Sequence, residues 1–152
     1  MWWTLTSPER RFSQGWQSFA KFRHFCPMHE NEISAALLKS AFRVHTLLGP
    51  GLMEAVYEAA LAHELRKAGL RVETQVALPV MYDGIRVEVG YRLDMLIEEK
   101  VIVELKSVEA LHPIHAKQLT NYLKLSQLKL GLLLNFNTGS LRDGIVRLVN
   151  GL

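Results

Sequence analysis

Three charged residues stand inside apolar, strand-like runs. Asp94 lies in Leu93-Asp94-Met95-Leu96-Ile97, and Glu104 and Lys106 lie in Val101-Ile102-Val103-Glu104-Leu105-Lys106. A charge with apolar neighbours on both sides is costly in a strand unless it is paired or binds a metal. If the two runs form a hairpin centred on Glu99, Asp94 falls opposite Glu104. Directly opposed residues share a face, with β-carbons about 4.5–5.5 Å apart. Lys106, two residues on, shares that face too. At an effective dielectric near 20, two carboxylates about 4 Å apart repel by roughly 4 kcal/mol. A divalent cation that favours hard oxygen ligands (magnesium, manganese or calcium) offsets such repulsion. Lys106 alone offsets part of it. Two readings therefore stand: a metal centre, or a structural charge cluster. The Glu-x-Lys spacing adds little by itself, because Glu98-Glu99-Lys100 repeats it at what reads as a turn. Asp83 and Asp143 each precede Gly, the usual turn role.

A further carboxylate comes from a helix. Glu54, Tyr57, Glu58, Leu61 and Leu65 fall on one helical face. If Leu61 and Leu65 pack on the sheet, Glu54 and Tyr57 point toward its edge. The helix dipole offers a simpler reason for acids near a helix start. On a later helix Gln118 and Tyr122 share a face at i, i+4, able to hydrogen-bond a substrate or to edge a packed helix. Lys117 and Lys124 read as candidate backbone contacts or as solvated lysines. His45 and His63 read as structural. His112 and His115 flank a helix start, where they can assist binding or simply face solvent. Ser107 is either a supporting hydrogen-bond donor or a loop residue.

The elements that must position these groups follow from periodicity. Residues 32–48 carry apolar side chains at helical spacing, with Asn31 as the expected cap and Gly49-Pro50-Gly51 as the stop. A second helix is expected from Leu52 to Ala68, ending at Gly69. The period then becomes two from Val72 to Val80 and from Ile85 to Tyr91, around an Asp83-Gly84 turn. The second of these strands continues or bends into the Asp94 run. After the Glu104 strand, Pro113 starts a helix reaching about Leu125, and 130–136 reads as a buried strand. Residues 141–150 read as a short strand or a short helix. The order predicts an α/β domain with a mixed β-sheet flanked by helices.

Composition bounds the function. The chain has 152 residues, 49% hydrophobic and 22% charged, which suits one soluble domain and excludes disorder. No apolar run approaches the roughly 20 residues that span a bilayer. A lone cysteine, Cys26, excludes an internal disulfide framework and a Cys-rich zinc site, and fits a reducing, cytoplasmic compartment. No secretory signal pattern leads the chain. The formal net charge of +3 resides in residues 1–27, through Arg10, Arg11, Lys21 and Arg23 against Glu9. Residues 28–152 balance, which argues against tight nonspecific binding to nucleic acid and leaves room for a protein partner, a homodimer, or a small or structured substrate. Residues 1–27 also hold all three Trp and four of the six Phe, without a clean period. They are expected to form a poorly ordered extension, with Met28 as the natural start and 28–152 as one domain.

GPGLMEAVY (49–57) resembles the signature of the GxxExxY family, with Gly51, Glu54 and Tyr57 at the defining positions. The resemblance runs from about Ile33 to the C-terminus. That family is similar to a branch of the PD-(D/E)xK nucleases. The resemblance implies a restriction-endonuclease-like core and metal-dependent phosphodiester hydrolysis in nucleic acid. It assigns Asp94, Glu104 and Lys106 to the superfamily triad and Glu54 to the helix acid. Magnesium, or manganese in its place, would be held by Asp94, Glu104 and Glu54. Gln118 and Tyr122 match the family's QLxxY segment, and with Tyr57 they would contact substrate or support the site. Leu93 stands where the superfamily's Pro is named. The competing expectation is a nuclease-like fold that binds nucleic acid or a protein without cleaving.

Overall fold

A computed structural model of the protein describes residues 28–152, and the expectations for 1–27 lie outside the described residues. Helix α1 spans Glu30–Leu48 and α2 spans Glu54–Lys67. Strands β1 (Val72–Tyr82), β2 (Ile85–Ile97) and β3 (Val101–Lys106) follow. Helix α3 (Pro113–Ser126) leads to β4 (Leu130–Asn135), and β5 (Ile145–Val149) closes the chain. The sheet order is β1-β2-β3-β4-β5. All neighbours are antiparallel except β3 and β4, which are parallel and joined through α3, since a parallel pair needs a crossover. No helix among the described residues is long and apolar enough to cross a membrane.

Several boundaries differ from the sequence reading. His29, not Asn31, caps α1: its Nδ1 accepts from the Asn31 amide at 3.3 Å, while Glu32 accepts from the His29 amide at 2.6 Å. Asn31 lies inside the helix and accepts from Arg147. Helix α2 begins at Glu54 because Met53 is extended and Leu52 donates its amide to Tyr57 Oη. The final segment is both of the expected alternatives in turn, a 3-10 helix at Leu141–Gly144 and then β5.

Two apolar layers sandwich the sheet. Ile33 and Leu37 of α1 and Leu61 and Leu65 of α2 pack with Met95, Val103 and Leu132. On the other face Leu119 and Leu123 of α3 pack with Leu93, Leu96, Ile102 and Leu133. Strand alternation would put Leu93 beside Met95 on the α1–α2 face. Instead the strands change faces at Gln75 and Asp94: Val72, Met95 and Ile97 pack under α1 and α2, whereas Val76 and Leu93 pack under α3. Gln75 sits at φ 54°, a left-handed conformation that bends the strand at that step.

The hairpin between β2 and β3 has the register expected from its centre. Met95, Leu96 and Ile97 pair with Val103, Ile102 and Val101. Its turn places Glu98 and Glu99 at φ 52° and 55°, conformations that disfavour side chains. Arg71 clamps both: its amide donates to Glu98 Oε1 at 2.6 Å, and its guanidinium reaches Glu98 and Glu99 at 3.1 and 2.9 Å.

Candidate active site

The α3 face of β3 carries Ile102 into the core, and alternation brings Glu104 and Lys106 to the same side. Glu104 is 2% exposed. Its Oε1 accepts from Lys106 Nζ at 3.2 Å. Its Oε2 is buried with no hydrogen-bond partner among the described residues. Burial first, and then the Asp94 charge, push the Glu104 carboxyl up to about 7, with Lys106 opposing them.

Asp94 sits where β2 changes faces. The ladder to β3 ends at Met95 and Val103, and at the next step the Asp94 side chain takes over: Oδ2 accepts from the Leu105 amide at 2.8 Å. Burial raises the Asp94 carboxyl, the Leu105 amide and Lys106 counter it, and Glu54 adds to the rise. Asp94, Glu104 and Lys106 thus meet as one electrostatic unit, with Glu54 within reach of both acids.

Glu54 opens α2, and its Oε1 accepts from the Ser107 amide just beyond β3, at 3.2 Å. A depression of about 530 Å³ opens there, lined by the start of α2, Ser107 and Asn137. Among the described residues, no three His, Cys, Asp or Glu side chains gather closely enough to hold a metal. Asp94 and Glu104 form the inner pair, and Glu54 stands apart on its own backbone contact. The donor chemistry still fits a hard divalent ion: a buried carboxylate oxygen lacks a partner among the described residues, beside a second carboxylate. Magnesium commonly takes only one or two protein carboxylates and keeps several waters.

Tyr57 lies elsewhere than at the sheet edge. It is fully buried, stacked on Phe136 with centroids 4.5 Å apart. Its hydroxyl donates to Gly49 O at 2.6 Å and accepts from the Leu52 amide at 3.1 Å. Leu52 O in turn accepts from Ser107 Oγ at 2.6 Å. Tyr57 therefore pins the loop that feeds Glu54 into the site. Tyr57→Phe removes both hydroxyl bonds and should cost about 1–3 kcal/mol, read as a lower melting temperature. An unchanged melting temperature would show that the loop holds without it.

On α3, Gln118 hydrogen-bonds the Tyr122 hydroxyl. Burial raises the Tyr122 hydroxyl, and the Glu104 and Asp94 charges add to this, so the pair borders the acids. Tyr91, 42% exposed, meets Tyr122 edge-on at 5.2 Å. His112 and His115 cap α3 reciprocally, at 3.1 and 3.3 Å. His45 holds Thr138 O at 2.8 Å, while His63, Lys117 and Lys124 are exposed.

Sequence reasoning missed Gln75, whose amide donates to Glu58 and which stands level with Asp94, countering the rise of its carboxyl. Alternation made it one more outward polar residue. The signal was its partner across the hairpin, and the bulge between Leu78 and Val80 hides it. Val80 faces Val87, but Leu78 faces Tyr91 rather than residue 89, and this slip brings Gln75 level with Asp94.

No match to this chain is found among curated proteins or solved structures. The family model described as the PD-(D/E)XK nuclease superfamily matches residues 31–148, which takes in both sheet faces and every site residue named above. The acid at the bend of β2, the Glu-x-Lys of β3 and the mixed sheet around them agree with that match, and the chain belongs to the PD-(D/E)XK nuclease superfamily.

Proposed function

We propose that the protein is a divalent-metal-dependent nuclease that hydrolyses phosphodiester bonds in nucleic acid, of the GxxExxY branch marked by Gly51, Glu54 and Tyr57. The observation that carries this reading is the buried, unpartnered Glu104 Oε2 beside Asp94, with Lys106 two residues further along the same strand. Asp94 and Glu104 would hold magnesium, or manganese, with Glu54 contributing from the edge of the site. Such an ion, when bound, lowers the pKa of water and polarises a phosphoryl oxygen. Lys106 orients the attacking water or stabilises negative charge at the phosphorus. The Leu105 amide keeps the Asp94 carboxylate turned toward β3. Gln118 and Tyr122 border the acids and present an amide and a hydroxyl to a phosphate or a neighbouring water.

The test is cleavage by the purified full-length protein of single- and double-stranded DNA and RNA, with magnesium, with manganese, and with chelator. Metal-dependent cleavage of at least one substrate, lost in Glu104→Gln, is the expected result. The place of Glu54, held apart from the inner pair on the Ser107 amide, favours a second reading, a nuclease-fold module that binds without cleaving. Retained nucleic-acid binding with no cleavage of any of the four substrates would select it.

A further inference from the structure

Gln75 combines three features that strand propensity does not explain. It is a non-glycine residue at φ 54° within β1. It stands level with Asp94, between the Thr74–Met95 and Val76–Leu93 pairs, where both strands change faces. Its Nε2 donates to Glu58 Oε2 of α2 at 2.6 Å, and from its place across the hairpin its amide counters the rise of the Asp94 carboxyl. Backbone strain of this kind persists only where the surroundings over-determine it, and it concentrates at functional sites.

On this geometry we infer that Gln75 is a positioning residue, which bends β1 and uses its neutral amide, braced by Glu58, to aim the Asp94 carboxylate for ion binding. The inference rests on the metal-dependent reading above. The chemistry suits an amide. An amide NH2 carries two donors, enough for one carboxylate on α2 and one on β2. It carries no charge, so it orients Asp94 without competing with a cation, as a lysine or arginine at this place would. The Leu105 amide holds Asp94 from the β3 side, and Gln75 faces it from the level position on β1, so the carboxylate lies between donors on its two neighbouring strands. Partners that orient a ligand in this way typically contribute about 10–100-fold in metal affinity or activity.

The test compares full-length parent protein with Gln75→Gly and Gln75→Asn. Two readouts are followed: the manganese concentration at half-maximal thermal shift, and kcat and KM for the best substrate. Glycine relieves the left-handed backbone while removing the amide. It should melt no lower than the parent in chelator, yet raise the manganese midpoint by about 10-fold or more and lower kcat with KM unchanged. Asparagine tolerates the left-handed backbone and keeps a shorter amide, so its midpoint should fall between the two. A merely structural tie between α2 and the sheet would change the chelator melting temperature and leave the manganese midpoint alone. Parent-like midpoints and kcat in both variants overturn the role of Gln75 while the metal reading survives. A parent that shows no manganese shift overturns both.

Discussion

If the protein is a metal-dependent nuclease, Asp94→Asn should abolish the stabilisation that magnesium gives the parent protein, and with it nucleic-acid cleavage. An ion that binds only the folded state stabilises by RT ln(1 + [L]/Kd), about 2.7 kcal/mol at a hundredfold excess over Kd. Asparagine keeps an oxygen for the Leu105 amide, so the bend of β2 survives. It removes a charge that raises the Glu104 carboxyl, so the variant in chelator should melt no lower than the parent. Lys106→Ala separates the roles. It should keep the metal shift but lower the cleavage rate by about 10²–10⁴-fold, the usual range for proton-transfer groups. In chelator it should melt lower, because Glu104 Oε1 then loses its partner as well. A melting series over the three proteins, with and without magnesium, reads all of this. If the parent gains nothing from metal and Asp94→Asn is simply destabilised, the acids form a structural charge network.

Metal-free protein should lose stability as pH rises through the range where Glu104 ionises. In the folded chain the carboxyl titrates at about 7 against an ordinary 4.5, so between these values the folded state holds a proton that the unfolded state has released. Stability falls with pH wherever the folded state binds more protons. The interval corresponds to a loss on the order of 3 kcal/mol, complete above the folded value. Asp94, shifted in the same direction, adds to the slope. Urea midpoints in chelator should therefore be higher at pH 5 than at pH 8. Glu104→Gln, which cannot ionise, should flatten that difference. Saturating magnesium should oppose the trend, since the ion favours the deprotonated ligand. Parallel profiles for parent and Glu104→Gln would remove Glu104 as the source.

Much of the fold was legible because local rules and the final packing agree. The 3.6 period of α1 and α2, the stop at Gly49-Pro50-Gly51 and the Glu99-centred hairpin all carry over into the structure. Asp94 and Glu104 stood out because charges in apolar strands are rare, and the residues flanking them do pack in the core. What the sequence concealed depends on irregularity. Gly90 lies against the Leu78 carbonyl so tightly that a Cβ would come within 2.3 Å, and this crowded bulge shifts the β1–β2 register. No period-two count passes through such a slip, so Gln75 could not be paired with Asp94 beforehand. Tyr57 was only partly legible for a related reason. Helical spacing assigns it to the Glu54 face, but only the stacked Phe136, distant in sequence, shows that its ring is buried.

The Arg71-clamped turn acts as a ruler for the site. Its three residues fix how far Asp94 and Glu104 each stand from the reversal, and the side-chain period of a strand is two. A one-residue slip of β3 along the sheet would turn Glu104 and Lys106 toward α1 and α2 and leave Asp94 behind. Residues 98–100 therefore serve the site through their number as well as through the Arg71 clamp, whereas added residues should be tolerated at the β1–β2 tip, where no acid is being measured.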